Sequence, residues 1–275
     1  MKDRILLDKY EILKKTLTSY QSVAVAYSGG VDSTFLLYTA HKTLGEKAIA
    51  ITAKSCLIPE TEMKESVSFC KKFGIRQMVI EPDILAAPGF ADNPPDRCYI
   101  CKKHLFSQMK DIAMDTGMRF LIDGSNEDDK GDYRPGLKAL EELKIHSPLV
   151  ELGINKKEIR KLSRALGLPT WEKPSYACLA TRIPYGETID ATKLALAEKA
   201  EKYLRDMGFR EVRVRVHGTV SARIELNPND FARFMRGDVR LEVNSVFKQM
   251  GFAYVSLDLQ GYRSGSMNEM LPEDL

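Results

Sequence analysis

Residues 23–40 constrain this chain more than any other stretch. Val23-Ala-Val-Ala-Tyr27 is a short, wholly apolar run, as a strand buried on both faces requires. Ser28-Gly-Gly-Val-Asp-Ser33 follows at once, and Thr34-Phe-Leu-Leu-Tyr-Thr-Ala40 continues as a helix. The alternation then repeats, with strands expected near 47–53, 76–81 and 119–123. Helices are expected over 4–18, 60–73, 97–115, 136–143 and 156–166 from their apolar spacing. Strands alternating with helices predict an α/β domain over 1–166, a parallel sheet with helices on both faces.

Two connections are long. Residues 82–96 hold Pro82, Pro88, Gly89, Pro94 and Pro95, and residues 167–189 hold Pro169, Pro174, Pro184 and Gly186. Loops of that length in a compact domain are usually binding or lid segments. A helix over 190–207 follows, then a hairpin of 210–216 and 220–226 across His217-Gly218. Helices near 229–236 and 238–250 and a strand over 252–258 complete a small α+β domain. The expected organisation is 1–166, a cysteine-bearing loop 167–189, and 190–275.

Composition removes several function classes. A net charge of +3 over 275 residues is too balanced for a nucleic-acid binder acting by bulk electrostatics. No apolar run reaches the ~18 residues of a membrane span. Charges interrupt the apolar pair at the N-terminus, so a secretory signal is not expected and the protein reads as cytoplasmic. Five cysteines then read as thiols, ligands or nucleophiles rather than disulfides.

Between a buried strand and a helix start, Gly29 and Gly30 let the backbone approach an anion. The free N–H groups of the first helical turn, at Val31 and its neighbours, point at it, and Ser28, Ser33 and Thr34 add hydroxyl donors. Asp32 repels phosphate, so its natural partner is a Mg²⁺ carried by the nucleotide. The pattern is neither a Walker A loop nor a Gly-x-Gly-x-x-Gly fingerprint. A second strand-end loop, Phe120-Leu-Ile-Asp-Gly-Ser-Asn-Glu-Asp-Asp129, offers Gly124 and Ser125 to an adenylate, and Asp123 or Asp128 to Mg²⁺. Arg134 is a candidate phosphate clamp. The string Ser28–Ser33 resembles the PP-loop of the ATP pyrophosphatase superfamily. That resemblance implies ATP cleavage between the α and β phosphates, leaving AMP on a substrate oxygen.

Cys56 and Cys70 read as small buried residues. Cys98 and Cys101 stand one turn apart just inside a helix start, where the helix dipole and Arg97, Lys102 and Lys103 favour thiolates. Such a pair is half a zinc site, a redox pair or a coincidence; zinc would need two more ligands. The remaining candidate ligand is Cys178. On the hairpin, Arg213 and Arg215 alternate with valines and suit a phosphate, with Arg223 across from them. The plain alternative is a solvated strand face balanced by Glu211 and Glu225.

Pro174-Ser-Tyr-Ala-Cys-Leu-Ala-Thr-Arg-Ile-Pro-Tyr-Gly186 resembles the signature of the LarE family of ATP-dependent sulfur transferases. With the two loops above, the resemblance extends over nearly the whole chain. It implies adenylation of pyridinium-3,5-biscarboxylic acid mononucleotide and conversion of each carboxylate to a thiocarboxylate, a step toward the nickel-pincer nucleotide. It implies that Arg213 and Arg215 bind the substrate phosphate. In one branch the loop cysteine gives up its own sulfur. In the other, three cysteines hold a [4Fe-4S] cluster with one open iron, and Cys98, Cys101 and Cys178 match that pattern.

The implied partners are inorganic sulfide or a sulfur-donor protein, other nickel-pincer biosynthesis proteins, and further copies of the chain, as in a hexamer. No membrane or nucleic-acid partner is expected. The competing expectations are a tRNA thiolase, an amide-forming synthetase of the same superfamily, and an ATP-binding sensor or cluster carrier without turnover.

Overall fold

The computed structural model describes residues 2–131, 135–174, 177–263 and 265–270. They form two compact units, Met1–Ala87 with Asp96–Tyr176, and Pro88–Pro95 with Ala177–Leu275. The segment 88–95 therefore packs with the second unit, and the loop 167–189 is shared between the two.

In the first unit the order is α1 (Lys2–Tyr20), β1 (Val23–Ala26), α2 (Val31–Leu44), β2 (Ala48–Ala53), α3 (Glu60–Phe73) and β3 (Gln77–Ile80). Then come α4 (Arg97–Asp115), β4 (Phe120–Ile122), α5 (Gly136–Glu142), α6 (Pro148–Glu151) and α7 (Lys156–Ala165). The sheet is parallel, in the order β3-β2-β1-β4. Alternate side chains of one strand reach opposite faces. Val23 and Val25 join Leu13, Leu17, Phe35 and Leu162 in one core. Ala24, Ile49 and Ile51 join Phe106, Met109 and Leu140 in the other. Both faces are thus covered by helices, as the apolar strands predict. The four-residue α6, with proline at its first position, has too little periodicity to be read from sequence.

The strand order reverses between β1 and β4, which pair through Val23–Phe120, Ala24–Leu121 and Val25–Ile122. Ligands of open α/β sheets bind at the carboxyl ends of strands at such a reversal. The loops after β1 and after β4 leave the sheet side by side there.

The second unit contains α8 (Ala191–Asp206), β5 (Val212–His217), β6 (Ser221–Leu226), α9 (Phe231–Phe234), α10 (Gly237–Met250) and β7 (Tyr254–Leu257). Its sheet runs β5-β6-β7, with the expected antiparallel hairpin and a parallel β6–β7 pair. The side-chain amide of buried Asn93 donates to the Ile183 and Pro184 carbonyls, at 3.2 and 2.6 Å. Gly186 N–H donates to Asn93 O and Ile189 N–H to Ala91 O. The two proline-rich connections are therefore bonded to each other. Among the described residues no helix is long and apolar enough to cross a membrane.

Candidate active site

The PP-loop segment is self-bonded into a cradle. Ser28 Oγ lies 3.0 Å from Ser33 Oγ, the Ser33 hydroxyl reaches Gly30 O at 3.3 Å, and Gly30 N–H points to Ser28 Oγ at 3.4 Å. Gly29 takes φ +75°, a left-handed conformation that L side chains rarely adopt. Thr34 N–H closes the first helical bond, onto Gly30 O at 3.0 Å. The N–H groups of Val31, Asp32 and Ser33 consequently have no intrahelical acceptor, which leaves them available to an anion. Thr34 is fully buried.

The loop after β4 closes on this cradle from one side. A Cβ added to Gly124 would stand 2.9 Å from both Ser33 N and Ser33 Cα, so only glycine permits the approach. Asp123 is buried and accepts the hydroxyls of Ser125 at 2.6 Å and Ser147 at 2.5 Å. Asp128 accepts Lys156 N–H at 2.9 Å, and Asp129 accepts Asn126 N–H at 2.9 Å. These carboxylates shape the second loop.

Asp32 differs from them. Its Oδ2 accepts Lys156 Nζ at 2.5 Å and the Asn126 amide at 3.3 Å, while its Oδ1 is buried with no hydrogen-bond partner among the described residues. Burial raises the carboxyl above the ordinary aspartate range; Lys156 and Asn126 pull against that rise, and Asp129 adds to it. An orphaned buried carboxylate oxygen carries a desolvation cost that a cation would relieve.

Two lysines complete the site, and neither was singled out by the sequence. Lys156 opens α7, far along the chain from Asp32. Lys173 inserts between α3 and the cradle, 2.7 Å from Glu62, 2.6 Å from Glu65 and 3.2 Å from Gly29 O. Arg160 on α7 grips the Trp171 and Lys173 carbonyls at 2.6 and 2.7 Å, and Arg164 stacks over the Trp171 ring. Arg134 lies outside the described residues.

Cys98 is exposed at the second position of α4, and Cys101 follows one turn later, partly exposed. Both belong to the first unit, whereas the exposed Cys178 belongs to the second. None of the five cysteines forms a disulfide. Among the described residues no three His, Cys, Asp or Glu side chains are grouped to hold a metal. Cys70 is buried as expected, its thiol pushed up to about 12 by burial. Cys56, expected to be buried after the second strand, is exposed in the turn beyond β2.

In the second unit the hairpin register sets Arg215 opposite Arg223 and Arg213 opposite Glu225. Arg215 is fully buried and bidentate to Glu225, at 2.8 and 2.9 Å, with further bonds to Ser266 Oγ and Thr181 O. Arg182 is likewise bidentate to buried Glu201, at 2.6 and 3.0 Å, and holds the Ala177 carbonyl at 3.0 Å. Arg213 is only 8% exposed, yet among the described residues it has no carboxylate partner. Its guanidinium stacks on Tyr262, 4.8 Å from the ring centroid, and reaches the hydroxyl at 3.3 Å. Burial lowers its pKa, Tyr262 offsets part of that, the Arg182 and Arg215 charges lower it further, and the charge of Glu225 opposes them. The face is therefore not a solvated one.

No protein-family model matches the chain. It is 43% identical over 97% of its length to an uncharacterized protein of Synechocystis sp., covering 99% of that protein. It is 39% identical over 97% of its length to the pyridinium-3,5-bisthiocarboxylic acid mononucleotide synthase of Lactiplantibacillus plantarum, covering 96% of it. A weaker likeness, 26% over 71% of the chain, links it to 41% of the GMP synthase of Aeropyrum pernix. Near-complete coverage of the synthase at that identity, together with the PP-loop cradle at a strand-order reversal, places the chain in the LarE family of ATP-dependent sulfur transferases.

Proposed function

We propose that this chain adenylates the carboxylates of pyridinium-3,5-biscarboxylic acid mononucleotide with ATP and exchanges each adenylate for sulfur. The observation that carries the reading is the close approach of Gly124 to the start of α2. It joins two loops into one cradle around free N–H groups and a carboxylate oxygen without a partner.

Ser28, Gly29, Gly30, Val31 and Ser33 form the seat for the β,γ-pyrophosphate, while Gly124 and Ser125 line the adenylate side. The orphaned Oδ1 of Asp32 fits a Mg²⁺. Such an ion usually takes one or two carboxylates plus substrate phosphates and would neutralise charge on the departing pyrophosphate. Lys156, on the other oxygen of Asp32, keeps that carboxylate aimed across the cradle.

A substrate carboxylate oxygen attacks the α-phosphorus, the bond to the β-phosphate oxygen breaks, and pyrophosphate leaves with the electron pair. The N–H groups at the α2 start are preorganised for that developing charge. A hydrosulfide then attacks the acyl carbon, and AMP leaves with the C–O electron pair; if the Cys178 thiolate attacks instead, it forms a thioester whose Cβ–S bond breaks as the Cα proton is lost, leaving dehydroalanine. Oxide is too poor a leaving group for direct exchange, and adenylation removes that barrier.

Cys98, Cys101 and Cys178 are the residues that would hold an iron–sulfur cluster, and such a group would supply sulfide when bound. The donor chemistry fits, since all three are cysteines outside any disulfide and two share one helical turn. Arg213, buried and among the described residues bonded to no carboxylate, is the better placed of the hairpin arginines to receive the substrate phosphate. Arg215 and Glu225 support the strand beneath it.

Asp32→Ala should abolish pyrophosphate release from ATP in the presence of the pyridinium nucleotide. Release at the wild-type rate would remove the phosphate-site assignment. Intact-mass measurement after one turnover separates the sulfur sources: a chain that loses one sulfur from Cys178 is a sacrificial donor, and an unchanged chain with bound iron and sulfide is not.

A further inference from the structure

We infer that Lys173 is a positioning residue for adenylation: it fixes the plane of the Gly29–Gly30 peptide and so holds the Gly30 N–H on Ser28 Oγ, at the wall of the cradle. The inference rests on the PP-loop reading above.

In a trans peptide the C=O and the following N–H point in opposite directions. Whatever holds Gly29 O therefore sets where Gly30 N–H points. A peptide between two glycines has no Cβ on either side to resist rotation of its plane. Here Lys173 Nζ holds Gly29 O from outside the cradle at 3.2 Å. The same ammonium contacts Glu62 and Glu65 at 2.7 and 2.6 Å, so its three protons are committed and it cannot itself reach the nucleotide. That commitment makes it a positioning group rather than a catalytic one.

The base of the lysine is fixed as well. Arg160 holds the Lys173 carbonyl at 2.7 Å, and the Lys173 side chain is 12% exposed. Opposite, α3 packs against the loop, with Glu62 O 3.5 Å and Ser66 Cβ 3.4 Å from a Cβ built on Gly29. Without the ammonium, Glu62 and Glu65 would lose the counter-charge they share beside a pyrophosphate. Lys173 thus acts twice, by orienting a peptide dipole and by shielding two carboxylates from the triphosphate.

The test compares wild type, Lys173→Met and Lys173→Arg as full-length protein, titrated separately with Mg²⁺-ATP and with AMP. Removing one donor of this kind costs about 10²–10³ in rate, so mis-aiming one should cost about tenfold to a hundredfold. Lys173→Met should lose that factor in ATP affinity and in pyrophosphate release. Its AMP affinity should stay within about twofold, because AMP lacks the phosphates involved. Lys173→Arg, which keeps the charge and a donor, should recover most of the loss.

ATP and AMP affinities that fall together, or a Lys173→Met protein that matches wild type on ATP, overturn the inference. If Lys173→Met does not fold, Lys173→Gln answers the same question, since its amide falls a bond short of Gly29 O. A wild-type protein that binds ATP more tightly than AMP but releases no pyrophosphate with the pyridinium nucleotide contradicts the functional reading and leaves this inference standing.

Discussion

Arg215, in the second unit, has its charge paired through two bonds to Glu225, whereas among the described residues one oxygen of Asp32, in the first, has no partner. Glu225 engages Arg215 through two bonds, with Ser266 and Thr181 taking further protons. Arg182 and Glu201 repeat the scheme nearby. Asp32 has Lys156 and Asn126 on one oxygen and an empty, buried second oxygen. Both regions bury charge, but they return it differently. A satisfied pair holds the fold, and an unsatisfied group marks where a ligand completes the bonding. Arg213 lies between these cases, buried like Arg215 but among the described residues bonded to no carboxylate.

The largest expected effect breaks the satisfied side. Glu225→Gln strands a buried guanidinium and should cost about 3–5 kcal/mol in urea unfolding. Replacing Arg215 and Glu225 together by Met and Leu should recover most of that loss. A single substitution that costs nothing would mean the pair does not hold the sheet.

Next comes the unsatisfied side, where the comparison predicts opposite signs for activity and stability. Asp32→Asn should reduce pyrophosphate release by about 10²–10³. Because burial raises the Asp32 carboxyl above its unfolded value of 3.8, the folded state binds the proton more tightly. That stabilisation is complete below 3.8 and fades as the pH rises through the folded value. Above the folded value, ionised Asp32 therefore destabilises the ligand-free protein. Asp32→Asn should unfold at a higher urea concentration there, and the gain should vanish in acid.

Glu201 carries the reverse sign. Burial alone would raise it, but Arg182, Arg205 and the Val214 N–H outweigh burial and hold it below 4.5. Its contribution is present above 4.5 and is lost as the pH falls through the lower folded value. Glu201→Gln should accordingly flatten the acid limb of the stability profile.

Arg213→Ala should raise the KM for the pyridinium nucleotide by about tenfold while the KM for ATP stays put. The smallest effect belongs to the exposed Lys103–Glu142 pair, whose removal should leave both the urea midpoint and turnover unchanged.

The alternation of apolar strands and helices was legible because each local pattern agrees with the sheet it joins. The run 23–27 is buried on both faces, and its loop lies where the strand order turns. What stayed hidden is tertiary in origin. Lys156 and Lys173 lie 124 and 144 residues from the atoms they hold, and an isolated lysine carries no local pattern. The hairpin alternation assigned Arg213 and Arg215 to one face but could not say whether that face meets water. Thr181 and Ser266, from either side of the hairpin in sequence, cover Arg215. Cys56 was misplaced because burial at a strand end depends on where the turn departs. The pairing of 88–95 with 183–189 likewise has no periodicity to announce it.

The most direct test of the adenylating sulfur-transferase account is one anaerobic incubation of the protein with Mg²⁺-ATP, sulfide and pyridinium-3,5-biscarboxylic acid mononucleotide, read by mass spectrometry alongside nucleotide analysis. The account predicts replacement of one oxygen by sulfur on each carboxylate, with one AMP and one pyrophosphate released per exchange. ADP and orthophosphate as the nucleotide products, or AMP formation without sulfur in the pyridinium product, would contradict it.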